Sequence, residues 1–139
     1  DIAFNVDEWS KIISDASAVI YQFPFYWMSA PSLLKKWQDE VFTFLSKTPA
    51  VAGKPLTVVT TTGSEYEAYR SGGRNRFTTD ELLRPYQVNA IHSGMSWQTP
   101  IVVYGMGTAD AGKNIAEGAN LYKQRVEMLI GNSNAGNNW

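Results

Sequence analysis

The sequence predicts an α/β domain built on a parallel sheet. Two observations carry this. Three short, nearly continuous runs of β-prone apolar residues, near 17–23, 56–61 and 100–104, have the pattern of strands buried on both faces. Between and around them lie longer segments with helical spacing of apolar residues, and such alternation implies right-handed crossovers between parallel strands. At 139 residues the chain is long enough for one domain with a real core.

The first helix is expected over 7–14, where Trp9, Ile12 and Ile13 form one apolar stripe. The first strand follows over 17–23 and ends at Pro24. Pro31 suits the first position of a second helix reaching about residue 45, with Leu34, Trp37, Val41 and Leu45 on one face. Pro49, Gly53 and Pro55 mark a loop before the second strand, 56–61. A long polar segment, 62–77, carries Gly63, Gly72 and Gly73, and a connection of that length is usually functional. Thr78 or Thr79 caps a third helix starting at Asp80, which Pro85 is expected to kink. After the third strand, 100–104, Gly105 and Gly107 mark a turn. The last helix is expected over 111–130, with Ile115, Ala119, Tyr122, Val126 and Leu129 inward. The domain is read as 1–131 and the remainder, 132–139, as a polar tail.

Composition narrows the function classes. A net charge of -1 argues against an electrostatic nucleic-acid binder and against a polybasic membrane anchor. No apolar run approaches the roughly 18–20 residues of a membrane helix, so no membrane insertion is expected. The chain has no cysteine, which excludes disulfides, thiolate catalysis and cysteine-held metal centres. A cytoplasmic location fits this usage. A single histidine, His92, supports neither a Ser–His–Asp set nor a histidine metal site, and no metal ligands are assigned.

In parallel sheets ligands bind at the carboxyl ends of strands. The segment after the first strand, Pro24-Phe25-Tyr26-Trp27-Met28, is rich in rings and stiffened by proline. It can pack on the next helix, or it can offer stacking area and fixed backbone N–H groups to a flat heteroaromatic ligand. The segment after the second strand, Thr61-Thr62-Gly63-Ser64, has small residues that admit a ligand close to the backbone, a weak motif on its own. Arg70, Arg74 and Arg76 lie among glycines, suited either to an anion or simply to a solvated loop. Neither a P-loop nor a dinucleotide fingerprint is present.

Three motifs in order resemble one family. The stretch Gln22–Val41, with Phe23-Pro24-Phe25-Tyr26-Trp27 and then Leu34-Lys35-Lys36-Trp37, resembles the hallmark of the NAD(P)H:quinone oxidoreductases of flavodoxin-like fold. Thr60-Thr61-Thr62-Gly63 with Tyr69 downstream resembles that family's second flavin loop, and Glu81-Leu82-Leu83-Arg84-Pro85-Tyr86 its "Glu, two Leu, Arg-Pro-aromatic" helix. The resemblance spans roughly 7–130 and implies a three-layer sandwich with a parallel sheet.

The resemblance further implies a flavin, FMN or FAD, whose ring is bordered by Pro24, Phe25, Tyr26 and Trp27 on one edge and by Thr61, Thr62 and Gly63 on another. It places Tyr69 at the nicotinamide and quinone site as the catalytic candidate. The implied activity is two-electron hydride transfer from NAD(P)H to a quinone, in a homodimer. Two departures stand out. The family's first strand–loop–helix unit, which holds the flavin phosphate, has no counterpart ahead of the first helix, so the chain alone is expected to hold flavin weakly. No histidine comes shortly after Tyr69, where some members carry one. Related readings are an ancillary subunit of a glutathione-gated potassium efflux system, an azo- or nitroreductase, and a one-electron carrier, the last disfavoured by the weak net charge.

Overall fold

The computed structural model describes residues 2–134. Helix α1 (Val6–Asp15) starts where the Asn5 side chain accepts from the N–H groups of Asp7 and Glu8. Strand β1 (Val19–Pro24) leads into α2 (Ser32–Trp37), which continues through a π-helical turn (Gln38–Phe42) into α3 (Thr43–Leu45). Pro31 stands just outside α2 with extended ψ, at the cap rather than the first helical position. Strand β2 (Pro55–Thr61) is followed by a 3₁₀ turn (Tyr66–Tyr69). Then come α4 (Thr79–Leu82), α5 (Arg84–His92), β3 (Ser96–Trp97), β4 (Ile101–Val103) and α6 (Ala111–Asn134).

The three expected strands are mutually parallel. β1 pairs with β2 from Val19↔Leu56 to Pro24↔Thr61, and β4 pairs with the other edge of β2 from Val59↔Ile101 to Thr61↔Val103. The short β3, which the apolar pattern did not show, pairs with the start of β2 at Pro55↔Ser96. The register slips by one residue between β3 and β4, around Pro100, which has no N–H for the ladder. Among the described strands β1 pairs only with β2, and an apolar groove of about 480 Å³ runs along its other side, past Trp9, Leu33 and Trp37.

The core fills one face of the sheet. Tyr21 and Phe23 of β1 and Leu56 and Val58 of β2 meet Trp37, Val41, Phe42 and Leu45 from the second helical segment, Leu83 from the junction of α4 and α5, and Tyr86 and Ala90 from α5. Tyr21 sits among the edges of Trp37, Phe42 and Tyr86, with centroids 6.0–6.4 Å away. The continuous helix expected over 80–92 is instead two helices. The chain leaves helical geometry at Leu83 (ψ 0°), and Pro85 opens the new helix rather than kinking an old one.

The opposite face is covered by α6, and a glycine sets how closely. A Cβ on Gly118 would lie 2.2 Å from Val103 Cγ2, so this residue lets the helix touch the strand. Leu129 is buried as expected and Tyr122 and Val126 are half-buried, but Ile115 and Ala119 face solvent. The helix runs on to Asn134, through the first residues of the segment read as tail; residues 135–139 of that tail lie outside the described residues.

Candidate functional site

The register of β1 on β2 brings the two suspected ligand loops side by side. Pro24 is paired with Thr61, and the next N–H, that of Phe25, donates to the Thr61 carbonyl at 2.9 Å. The aromatic loop therefore leaves the sheet beside the Thr-Gly loop. Tyr69 comes to the same place: its ring is 6.1 Å from that of Phe25. Pro24, Phe25, Thr61, Thr62, Gly63 and Tyr69 are thus gathered at the carboxyl end of the sheet, with Tyr26 and Trp27 at its rim.

The loop after β1 makes a tight reversal. Tyr26 and Ser29 exchange two backbone hydrogen bonds, Tyr26 N–H to Ser29 O at 2.8 Å and Ser29 N–H to Tyr26 O at 3.0 Å. The two residues between them, Trp27 and Met28, both hold left-handed backbone, at φ 48° and 63°. This is the geometry of a type I′ turn, which ordinarily takes Asn and Gly. Side chains with a Cβ sit there at a cost of roughly 1 kcal/mol or more each. Trp27 is 97% exposed, so it is not a core residue. The loop is braced from behind by Tyr86, whose hydroxyl accepts from Ala30 N–H at 3.1 Å and lies 3.3 Å from Ser29 Oγ.

The loop after β2 is built differently. Thr62 is buried; its N–H donates to Val103 O, and its hydroxyl donates to Ser64 O at 2.8 Å. Met106 and Gly107 donate to the carbonyls of Thr62 and Gly63, and Gly105 to that of Ser64. Gly107 keeps this approach close, since a Cβ there would press on Gly63 O at 3.0 Å. Further on, a Cβ on Gly73 would strike the Glu67 carbonyl at 2.2 Å, so the 66–76 segment can fold back only over a glycine.

Tyr69 is buried between two rings, Phe25 and Tyr104, the latter 5.9 Å away. Tyr104 bonds Thr79 Oγ1 at 2.6 Å, and burial raises its phenol above the ordinary value of 10.0. Of the three arginines, Arg74 is tied to Ser64 Oγ at 2.6 Å and to Glu65 at 3.6 Å, while Arg70 lies over the Tyr66 ring. Tyr86 and Tyr104 were not singled out as site residues from the sequence. Tyr86 had a signal in the Arg-Pro-aromatic helix; Tyr104 ends a strand and had none.

The geometry can be tested against a flavin ring. The backbone N–H groups of Trp27, Met28, Gly63 and Ser64 have no hydrogen-bond partner among the described residues. Four unspent donors on two adjoining loops, with exposed rings at the rim, suit a flat heterocycle with polar edges. Among the described residues no group of metal-ligating side chains occurs, and no helix is long and apolar enough to cross a membrane.

Comparison with known proteins agrees with the fold. A family model described as Flavodoxin-like fold matches residues 3–126. General stress protein 14 of Bacillus subtilis is 37% identical over 132 residues, covering 92% of this chain and 75% of the relative. The glutathione-regulated potassium-efflux system ancillary protein KefG of Cronobacter sakazakii is 35% identical over 108 residues, 75% of this chain and 59% of that protein. Among solved structures, general stress protein 14 of Treponema denticola in complex with FMN superposes with TM-score 0.81 at 27% identity, over 91% of this chain and 74% of its own. An NADPH-quinone reductase from P. pentosaceus gives TM-score 0.70 at 29% identity, over 98% and 76%. The chain spans about three-fifths of the length of several curated relatives it matches.

Proposed function

Since the chain belongs to the flavodoxin-like fold family, we propose that it is the ring-binding part of an FMN-dependent NAD(P)H:quinone oxidoreductase. The observation that carries this is the convergence of unspent backbone donors and rings at the carboxyl ends of β1 and β2. Trp27, Met28, Gly63 and Ser64 would hold the ring's polar edges, with Phe25 and Tyr26 bordering it. A bound flavin supplies the two-electron chemistry, taking hydride from NAD(P)H and giving it to an acceptor.

The chain's own groups bind and orient. Fixed N–H groups favour negative charge at the ring edge without rearranging, because the loops are already tied down by Thr61 O, Ser29 O and Val103 O. Tyr69, held by Phe25 and Tyr104, forms the wall against which nicotinamide or quinone is positioned. The exposed rings of Tyr26 and Trp27 fit a site completed in a homodimer.

The test uses the chain alone and the chain carrying an upstream strand–loop–helix of general stress protein 14. Both are titrated with FMN by fluorescence, then assayed for quinone-dependent NAD(P)H oxidation. Binding in the longer protein, weaker binding in the shorter, and flavin-dependent oxidation are expected. Lack of flavin binding in both overturns the reading. Flavin binding without oxidation favours the second reading, an ancillary subunit of a potassium efflux system, which the similarity to KefG supports.

A further inference from the structure

A second concavity lies behind Tyr69, at the outer edge of the sheet. It measures about 770 Å³, within the range of small-molecule sites. One wall is aromatic: Tyr66 and Tyr104 stand edge to face, with centroids 5.2 Å apart. Two cations enter it from different elements, Arg70 from the 3₁₀ turn's end and Arg125 from α6. Neither is in an ion pair among the described residues. Arg70 lies 5.2 Å over the Tyr66 ring, and Arg125 donates one N–H to Thr99 O, leaving most of the five guanidinium donors unspent. Asp80 is the one carboxylate in the lining, so the arginines outweigh it.

An extended peptide is a poor occupant. The open strand is only Ile101–Val103, it follows Pro100, and the Thr99 carbonyl is already taken by both Thr57 Oγ1 and Arg125. The neighbouring concavity past Tyr104 is acidic, lined by Glu65, Glu67, Asp110 and Glu117, and repels phosphate. A planar base needs an aromatic wall, and a phosphate needs forked cations; this groove alone of the two has both.

We propose that this groove binds the adenylate end of the nicotinamide dinucleotide, base against Tyr66 and Tyr104 and phosphate between Arg70 and Arg125. Naming the dinucleotide rests on the oxidoreductase reading above. Tyr69 is the partition between the two halves: one side of it meets Phe25 of the ring site and it also lines this groove. The donor's reactive end and its tail thereby occupy adjoining spaces.

The test is calorimetric titration of the full chain with 2′,5′-ADP and AMP, with adenosine as the phosphate-free control. Arg70→Gln and Arg125→Gln should each weaken nucleotide binding by about tenfold or more and leave adenosine unchanged. Arg125 also supports Thr99, so Arg70→Gln decides if Arg125→Gln melts early. No nucleotide binding to the wild-type chain, or equal binding by the wild type and both variants, overturns the proposal. Nucleotide binding lost in the variants, in a flavin-loaded protein that oxidises no NAD(P)H, keeps the groove and removes the oxidoreductase reading. NAD(P)H oxidation that is indifferent to 2′,5′-ADP and to Arg70→Gln does the reverse.

Discussion

The two loops that border the proposed ring site lie side by side yet are held by opposite means. The loop after β2 spends its carbonyls on Met106, Gly107 and Gly105, buries Thr62 and Tyr69, and depends on glycines where any side chain would collide. The loop after β1 keeps the rings of Tyr26 and Trp27 in solvent, holds two bulky residues in left-handed backbone, and takes its side-chain brace from the Tyr86 hydroxyl. One wall is rigid because it is a continuation of the sheet. The other is strained, and such strain persists at ligand sites because the surroundings over-determine it.

Breaking the rigid wall should have the largest effect. Gly73→Ala puts a methyl 2.2 Å from the Glu67 carbonyl, backbone that cannot step aside without unfolding the turn. A loss of about 3 kcal/mol is expected, read as a lower urea midpoint at unchanged slope. Wild-type stability in this variant would mean the 66–76 segment contributes nothing to the fold.

Next comes the alkaline response. Burial raises the phenols of Tyr21 and Tyr104 above the ordinary value of 10.0. A raised folded pKa means the native state holds its proton longer than the unfolded chain does. The stability it contributes is therefore complete below about pH 10 and falls as pH rises toward the folded values. Thermal melts should be flat in this respect from pH 7 to 9 and decline above 10. Tyr104→Phe should soften the decline, and an unaltered profile would show that Tyr104 ionises freely.

The strained wall should respond more mildly. Tyr86→Phe leaves the Ala30 N–H without its acceptor and should cost about 1 kcal/mol, while loosening the aromatic loop and weakening flavin retention. Loss of flavin binding without any change in melting, or the converse, would separate the brace from the packing role of the Tyr86 ring. Smallest for stability is Trp27→Ala. With the side chain 97% exposed, its removal should change unfolding by less than about 0.5 kcal/mol. Flavin retention should fall nonetheless, because a ring at the rim of the site is gone. Unaltered flavin content would leave Trp27 outside the site.

The strands were readable in the sequence because each is a short β-prone run bounded by Pro, Gly or Thr, and all three pair in parallel as that alternation requires. The strand ends also located the candidate site, since Phe23-Pro24 and Thr61-Thr62-Gly63 are neighbours whenever two such strands pair. The break at Leu83 was not readable: a proline within helical periodicity signals a kink or a restart equally, and packing of Leu83 in the core selected the restart.

What the sequence by itself determined is therefore the layer plan, the parallel order and the pair of loops, all properties of local pattern and chain polarity. The tertiary structure alone decided which side chains face the site. The loop after β1 reads equally as rings packed on the next helix or rings offered to a ligand; the Tyr26–Ser29 reversal, braced by the long-range bond from Ala30 N–H to the Tyr86 hydroxyl, leaves Tyr26 and Trp27 facing outward. Tyr104, silent in the sequence, becomes the partner of Tyr69 because β4 ends beside the 66–69 turn. Gly118 likewise carries no signal until Val103 is opposite it. The physical reason is common to all three: side-chain direction and close approach depend on contacts between residues far apart in the chain, and periodicity records only neighbours along it.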